Sequence, residues 1–223
     1  MTQWITLDTH YGPARAWHVQ PEGKPRGGLV IIQEIFGVNP HMRRVAEGFA
    51  QQGYDVLAPS FFDLIDGTDA DTDALAYDQD GVQQGLAKVN ELGEERALAL
   101  VRAAATRLAP AGKVGTVGYC WGGSIALLSA LRLGLPSASY YGARNVKFLD
   151  EAPKAPVIFH FGDRDSSIPP EAIAAHREKL PQMAVHVYPA DHGFNRDVGH
   201  AYDPDSAALA LDRTLDFFKE HLG

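Results

Sequence analysis

Cys120, the one cysteine of the chain, stands in Gly118-Tyr119-Cys120-Trp121-Gly122-Gly123, between an apolar run, Lys113–Val117, and a helix-like run, Ser124–Leu133. Strand, sharp turn and helix around a nucleophile flanked by glycines is the G-x-S-x-G elbow, with sulfur where oxygen usually stands. The glycines let neighbouring backbone pass close to a strained central residue, and the helix behind it presents a positive N-terminus. A thiol held there can be ionised and can attack a carbonyl carbon. At neutral pH a free thiol is only a few per cent thiolate, so a base must accompany it. His192, in Asp191-His192-Gly193-Phe194, can take the proton and return it to a leaving group. A carboxylate must then orient the imidazole, and Gly162-Asp163-Arg164-Asp165 supplies two. Asp165 is the better placed, because Asp163 stands at an earlier turn position suited to bonding its own backbone. The chain order is nucleophile, acid, histidine, as in α/β-hydrolases.

An attack of this kind needs donors for the oxyanion. The N–H of Trp121, next after the nucleophile, is one, and the loop Gln33-Glu34-Ile35-Phe36-Gly37 offers a second through Ile35. Glu34 closes an aliphatic run, where a carboxylate must be paired or desolvated. Trp121, Phe36, Tyr140 and Phe194 are placed to line an apolar, aromatic pocket. Asp191, His192, Asp197 and His200 share no recognised metal-ligand spacing, and Gly118–Gly123 lacks the Lys-Ser/Thr of a phosphate loop. Neither a metal nor an organic cofactor is expected.

These residues require a scaffold that brings distant strand ends together. Ala14–Val19, Gly28–Gln33, Tyr54–Ala58, Lys113–Val117, Ala138–Tyr141, Val157–Phe161 and Val185–Tyr188 are predicted strands. Pro40–Gln52, Glu94–Leu108, Ser124–Leu133, Pro170–Leu180 and Asp205–Leu222 are predicted helices. The alternation implies an α/β fold, a mostly parallel sheet with helices on both faces, in which reactive residues gather at the carboxyl ends of strands. At 223 residues and 45% hydrophobic content, one domain over the whole chain is expected. A net charge of −8 argues against nucleic acid or an anionic membrane as partner. No apolar run approaches the roughly 18 residues of a membrane span, and Met1–His10 carries no signal-peptide pattern. A free thiol without a disulfide partner suits a reducing compartment, so a cytoplasmic protein is expected; the sequence does not fix the oligomeric state, and a monomer is the default expectation.

The set Gln33-Glu34-Ile35-Phe36-Gly37, Gly118–Gly123, Tyr140-Tyr141-Gly142, Gly162–Pro169 and His192-Gly193-Phe194 resembles the dienelactone hydrolase family. The resemblance runs from Ala14 to the Thr214–Phe217 helix. It implies an α/β-hydrolase fold without a large cap, a Cys120–His192–Asp165 triad, and a hydrolase opening lactones or small esters through a thioester. It also implies that Glu34 holds the resting thiol neutral by a hydrogen bond and helps deprotonate it when substrate arrives. Family members that open dienelactones grip a substrate carboxylate with two arginines. Arg196 matches one of them, four residues after His192. The other has no equivalent, since no Lys or Arg occurs from Val45 to Ala87. That stretch carries Asp63, Asp66, Asp69, Asp71, Asp73, Asp78 and Asp80 instead, and Arg144 is the candidate replacement. The alternative is a broad carboxylesterase or thioesterase acting on uncharged acyl groups.

Overall fold

The computed structural model describes residues 1–68 and 74–223. Its centre is β3 (Gly28–Ile32), every residue of which is buried. An unbroken Gly-Leu-Val-Ile-Ile run is what a strand covered on both faces requires, and each buried aliphatic side chain contributes about 1.5–3 kcal/mol. Around it stand β1 (Thr2–Thr9), β2 (Gly12–Val19), β4 (Asp55–Pro59), β5 (Val114–Tyr119), β6 (Ser137–Tyr140), β7 (Val157–Gly162) and β8 (Ala184–Tyr188). They form one sheet in the order β1-β2-β4-β3-β5-β6-β7-β8. The β1–β2 and β2–β4 pairs are antiparallel and all the others are parallel.

Helices cover both faces. α1 (Pro40–Gln51) and α6 (Pro204–His221) share a cleft on one face. The other face carries α2 (Asp63–Asp66) and α4 (Trp121–Leu128), both packed on α3 (Gln79–Leu108), with α5 (Pro170–Lys179) beyond them. No large cap interrupts the described residues, and the architecture is the expected α/β one. Among the described residues no helix is long and apolar enough to cross a membrane.

Three elements differ from expectation. β1 was not anticipated, because an edge strand of sequence TQWITLDT exposes one side and carries a weak hydrophobic pattern. α3 begins at Gln79, not Glu94, and Asp78 caps it by accepting the Gly81 N–H at 2.8 Å. The expected start coincides with a kink at Gly93, whose φ of 70° only glycine adopts readily. α4 starts directly after the elbow and ends in a single π turn, Ser129–Leu133.

The acidic stretch divides into separate local roles. Asp63 is buried and receives Arg15 Nε and Nη2 at 2.8 and 2.9 Å. Asp66 pairs with Lys88, and Asp78 is the α3 cap. Asp69, Asp71 and Asp73 lie outside the described residues.

Candidate active site

The register of the central strands decides which residues surround the sulfur. Ile32 of β3 lies opposite Gly118 of β5, and Tyr140 of β6 lies opposite Tyr119. One or two residues past these pairs, Glu34 and Tyr141 leave the sheet on either side of Cys120. The elbow is tight: a Cβ on Gly118 would strike the Gly122 carbonyl, and one on Gly122 would strike the Ile32 and Gln33 carbonyls. Cys120 itself is forced to φ 56°, ψ −118°, a conformation costing on the order of 1–3 kcal/mol. Its N–H donates to the Tyr140 carbonyl at 3.0 Å, so the strain is held by the sheet.

His192 follows β8 and Asp165 follows β7, adjacent strands, and both reach the elbow. His192 Nε2 lies 3.2 Å from Cys120 Sγ, and Nδ1 lies 2.6 Å from Asp165 Oδ2. Asp165 is 4% exposed, and its other oxygen accepts the Ser167 N–H at 2.8 Å. Asp163 points to solvent, its N–H donating to the Tyr188 carbonyl. Burial works against the imidazolium, but the Cys120 sulfur and the Asp165 carboxylate outweigh it and raise His192 to about 10. The Ile35 and Trp121 N–H groups take no backbone partner among the described residues. Gly85 of α3 packs directly under Ile35, where a Cβ would strike the Ile35 carbonyl, so that helix braces the loop.

Glu34 is 1% exposed, and its Oε2 has no hydrogen bond among the described residues. Arg196 Nη1 stands 3.8 Å from that oxygen, too long for a hydrogen bond. The resting thiol–Glu34 bond implied by the resemblance is absent: the sulfur faces His192, and the carboxylate faces Arg196. Arg196 is itself closely held. Its Nε donates to the Val198 carbonyl at 3.2 Å, and its guanidinium lies 4.7 Å from the Tyr77 ring centre and 5.9 Å from that of Phe36. Tyr77 meets Phe36 edge-on and accepts a hydrogen bond from Asn39 at 2.7 Å.

Two residues expected to line the pocket belong to the core instead. The Tyr140 hydroxyl bonds Thr214 at 2.7 Å, Thr214 bonds His160 Nε2 at 3.0 Å, and His160 Nδ1 meets the Tyr188 hydroxyl at 2.8 Å. Phe194 has no exposed surface and packs on Tyr141 and Tyr188. Tyr140 ends β6 with its side chain on the inward face of the strand, and Phe194 is buried in the turn that follows β8. Arg144 does not replace the missing arginine, because its guanidinium donates to Asn90 on α3 at 2.8 Å. Asp197, considered above beside His192, is taken by His41 Nδ1 at 2.8 Å and by Arg44 through two bonds of 2.7 and 2.8 Å. That clamp ties the His192–Arg196 loop to α1. The sequence carried no sign of it, since the partners are 156 and 153 residues apart. Tyr77 was missed for the same reason, and Tyr141 stood in the sequence only as a member of the Tyr140-Tyr141-Gly142 motif, with no role attached.

The dienelactone hydrolase family model matches residues 14–222. The chain is 34% identical to a putative carboxymethylenebutenolidase of Azospirillum brasilense, covering 95% of each chain. It is 33% identical to the carboxymethylenebutenolidase of Pseudomonas putida, covering 97% of this chain and 96% of that one. Among solved structures, a putative dienelactone hydrolase from Klebsiella pneumoniae superposes with a TM-score of 0.87 at 25% identity, over 99% of this chain and 98% of that one. With sheet order, elbow and strand-end residues described, these likenesses agree: the chain belongs to the dienelactone hydrolase family and is a hydrolase of ester or lactone bonds.

Proposed function

We propose that the chain opens small lactones or esters through a covalent thioester on Cys120, with His192 as the proton carrier and Asp165 as its orienting carboxylate. The observation that carries this is the continuous line Sγ–Nε2, 3.2 Å, and Nδ1–Oδ2, 2.6 Å, at adjoining strand ends. The thiol proton passes to His192 Nε2 as sulfur attacks the carbonyl carbon. The Ile35 and Trp121 N–H groups receive the resulting oxyanion. Collapse breaks the C–O bond, and His192 delivers its proton to the departing alkoxide, which in a lactone stays tethered to the acyl chain. Water then loses a proton to His192, attacks the thioester and frees the thiol. No step in this scheme draws on a metal or cofactor.

The substrate we infer is uncharged at its acyl end. The cation-free run Val45–Ala87 supports this, as does the engagement of Arg196 by Val198, Tyr77, Phe36 and Glu34. A carboxylated lactone would have to pull that arginine from its cage with no second cation to assist.

The test pairs trapping with kinetics. Rapid quenching after p-nitrophenyl acetate should leave an acetyl group on Cys120 by mass spectrometry. Cys120→Ala should lower kcat/KM on the order of 1,000-fold or more. Full activity in Cys120→Ala would overturn the nucleophile. A strong preference for a carboxylated lactone, abolished by Arg196→Ala, would overturn the neutral-substrate assignment alone.

A further inference from the structure

Tyr141 combines three features that a packing residue would not need. Its φ is 38°, in the left-handed region that aromatic side chains rarely adopt. Its side chain has no exposed surface, and its hydroxyl has no hydrogen-bond partner among the described residues. Its ring lies 5.1 Å from that of His192 and 5.4 Å from that of Phe194. Phenylalanine would fill the same space without burying an unsatisfied hydroxyl, so the fold gains nothing from this oxygen. The neighbouring Tyr140 is the contrast: it is equally buried, but its hydroxyl is bonded to Thr214.

Position explains the difference. Tyr141 leaves β6 beside Cys120 just as Glu34 leaves β3 on the opposite side, by the register of Tyr140 with Tyr119 and of Ile32 with Gly118. The backbone is pinned there by the Tyr141 N–H donating to the His160 carbonyl at 2.8 Å. Glu34 Oε2, a buried acceptor, is also without a hydrogen bond among the described residues. A buried donor and a buried acceptor, each without a hydrogen bond among the described residues, thus stand at the ends of the strands on either side of the elbow, and the Tyr141 ring meets that of His192.

We propose that the Tyr141 hydroxyl is a hydrogen-bond donor reserved for the negative charge that appears on Cys120 during turnover, and that the strained turn at Tyr141 exists to aim it there. Burial, with Glu34 and Tyr119 nearby, pushes the phenol far above its ordinary range, while Arg196 opposes this only in part. The group therefore keeps its proton and acts as a donor, not a base. Among the described residues it has no partner in the resting protein. When the thiol proton moves to His192, charge appears beside it, and the donor engages without reorganisation. No bond to Tyr141 forms or breaks. The role rests on Cys120 being the nucleophile.

Two single-oxygen deletions at adjacent residues test it. Tyr141→Phe should lower kcat for p-nitrophenyl acetate about 10- to 100-fold with KM little changed. Its Tm should equal or exceed that of the parent, because an unsatisfied buried hydroxyl has gone. The pH at which iodoacetamide modifies Cys120 at half its plateau rate should rise. Tyr140→Phe should do the reverse, lowering Tm through the broken Thr214 bond and leaving kcat and the alkylation profile in place. Tyr141→Phe with full kcat and an unmoved alkylation profile overturns the donor role, as does a Tyr140→Phe variant that reproduces the same kinetic losses. Failure of the nucleophile assignment is seen separately, as an inert Cys120 in the parent protein.

Discussion

Two carboxylates sit at strand ends in this site, both buried, and they are treated in opposite ways. Asp165 has both oxygens occupied, one by the His192 ring at 2.6 Å and one by the Ser167 N–H at 2.8 Å. Glu34 has a buried oxygen with no hydrogen bond among the described residues, and its ion partner Arg196 stands 3.8 Å away. A carboxylate bonded through both oxygens has one favoured position, here against the Nδ1 edge of the His192 ring. A buried carboxylate left partly unpaired is costly to keep, and an exchange of partners during the reaction can relieve that cost. In the proposed mechanism Asp165 supplies the rigid geometry and Glu34 a charge free to respond.

The strongest way to break the comparison is at the fixed end. Asp165→Asn should lower kcat/KM on the order of 1,000- to 10,000-fold, because the ring loses its oriented tautomer. The same change should move the His192 midpoint down from about 10, since one of the groups holding the imidazolium is gone. Folding raises His192 above its ordinary 6.5, so the stability it contributes is fully present below about pH 6.5 and is lost as pH climbs through about 10. Asp165→Asn should therefore flatten the fall in stability on the alkaline side, as read by urea unfolding at pH 6 and pH 9.

At the responsive end the effect should be smaller and of another kind. Glu34→Gln keeps the shape and removes the charge. It should cost about 100-fold in kcat/KM and change the pH profile, with no loss of Tm, since a partly unpaired buried charge has been removed. Retention of full activity and an identical profile would dismiss Glu34 from the chemistry.

The smallest effect tests what holds the loop between the two. Asp197→Asn releases the His41 and Arg44 contacts at a partly exposed carboxylate, which solvent screens, so the cost should stay below about 1 kcal/mol. The Arg44 guanidinium holds the Asp197 carboxyl below its ordinary value against a weaker opposing effect of burial, with His41 adding to the shift. The difference between parent and variant should thus be present above about pH 3.8 and fade as pH falls through the lower folded value. Equal stability of the two proteins at pH 7 would show that the clamp contributes nothing.

Much of this molecule was legible in one dimension because its signals are local. Glycine spacing around Cys120 marks a turn that other residues cannot enter, and the aliphatic run Gly28–Ile32 marks a strand covered on both sides. The order of Cys120, Asp165 and His192, each just after a strand, was enough to place them at one end of a parallel sheet. Edge strand β1 and the first half of α3 were not legible, because one is half solvated and the other carries Gly81 and Gly85 where helix formers usually stand.

The sequence by itself determined the fold class, the elbow and the residue types that meet at it, since each depends on backbone sterics and hydrophobic period within a few residues. The tertiary structure decided which side chains face the sulfur. Tyr140 and Phe194 turned into the core, Arg144 paired with α3, the thiol met His192 and not Glu34, and Asp197 joined α1. Those outcomes depend on strand register and on contacts between residues far apart in the chain, which local spacing does not encode.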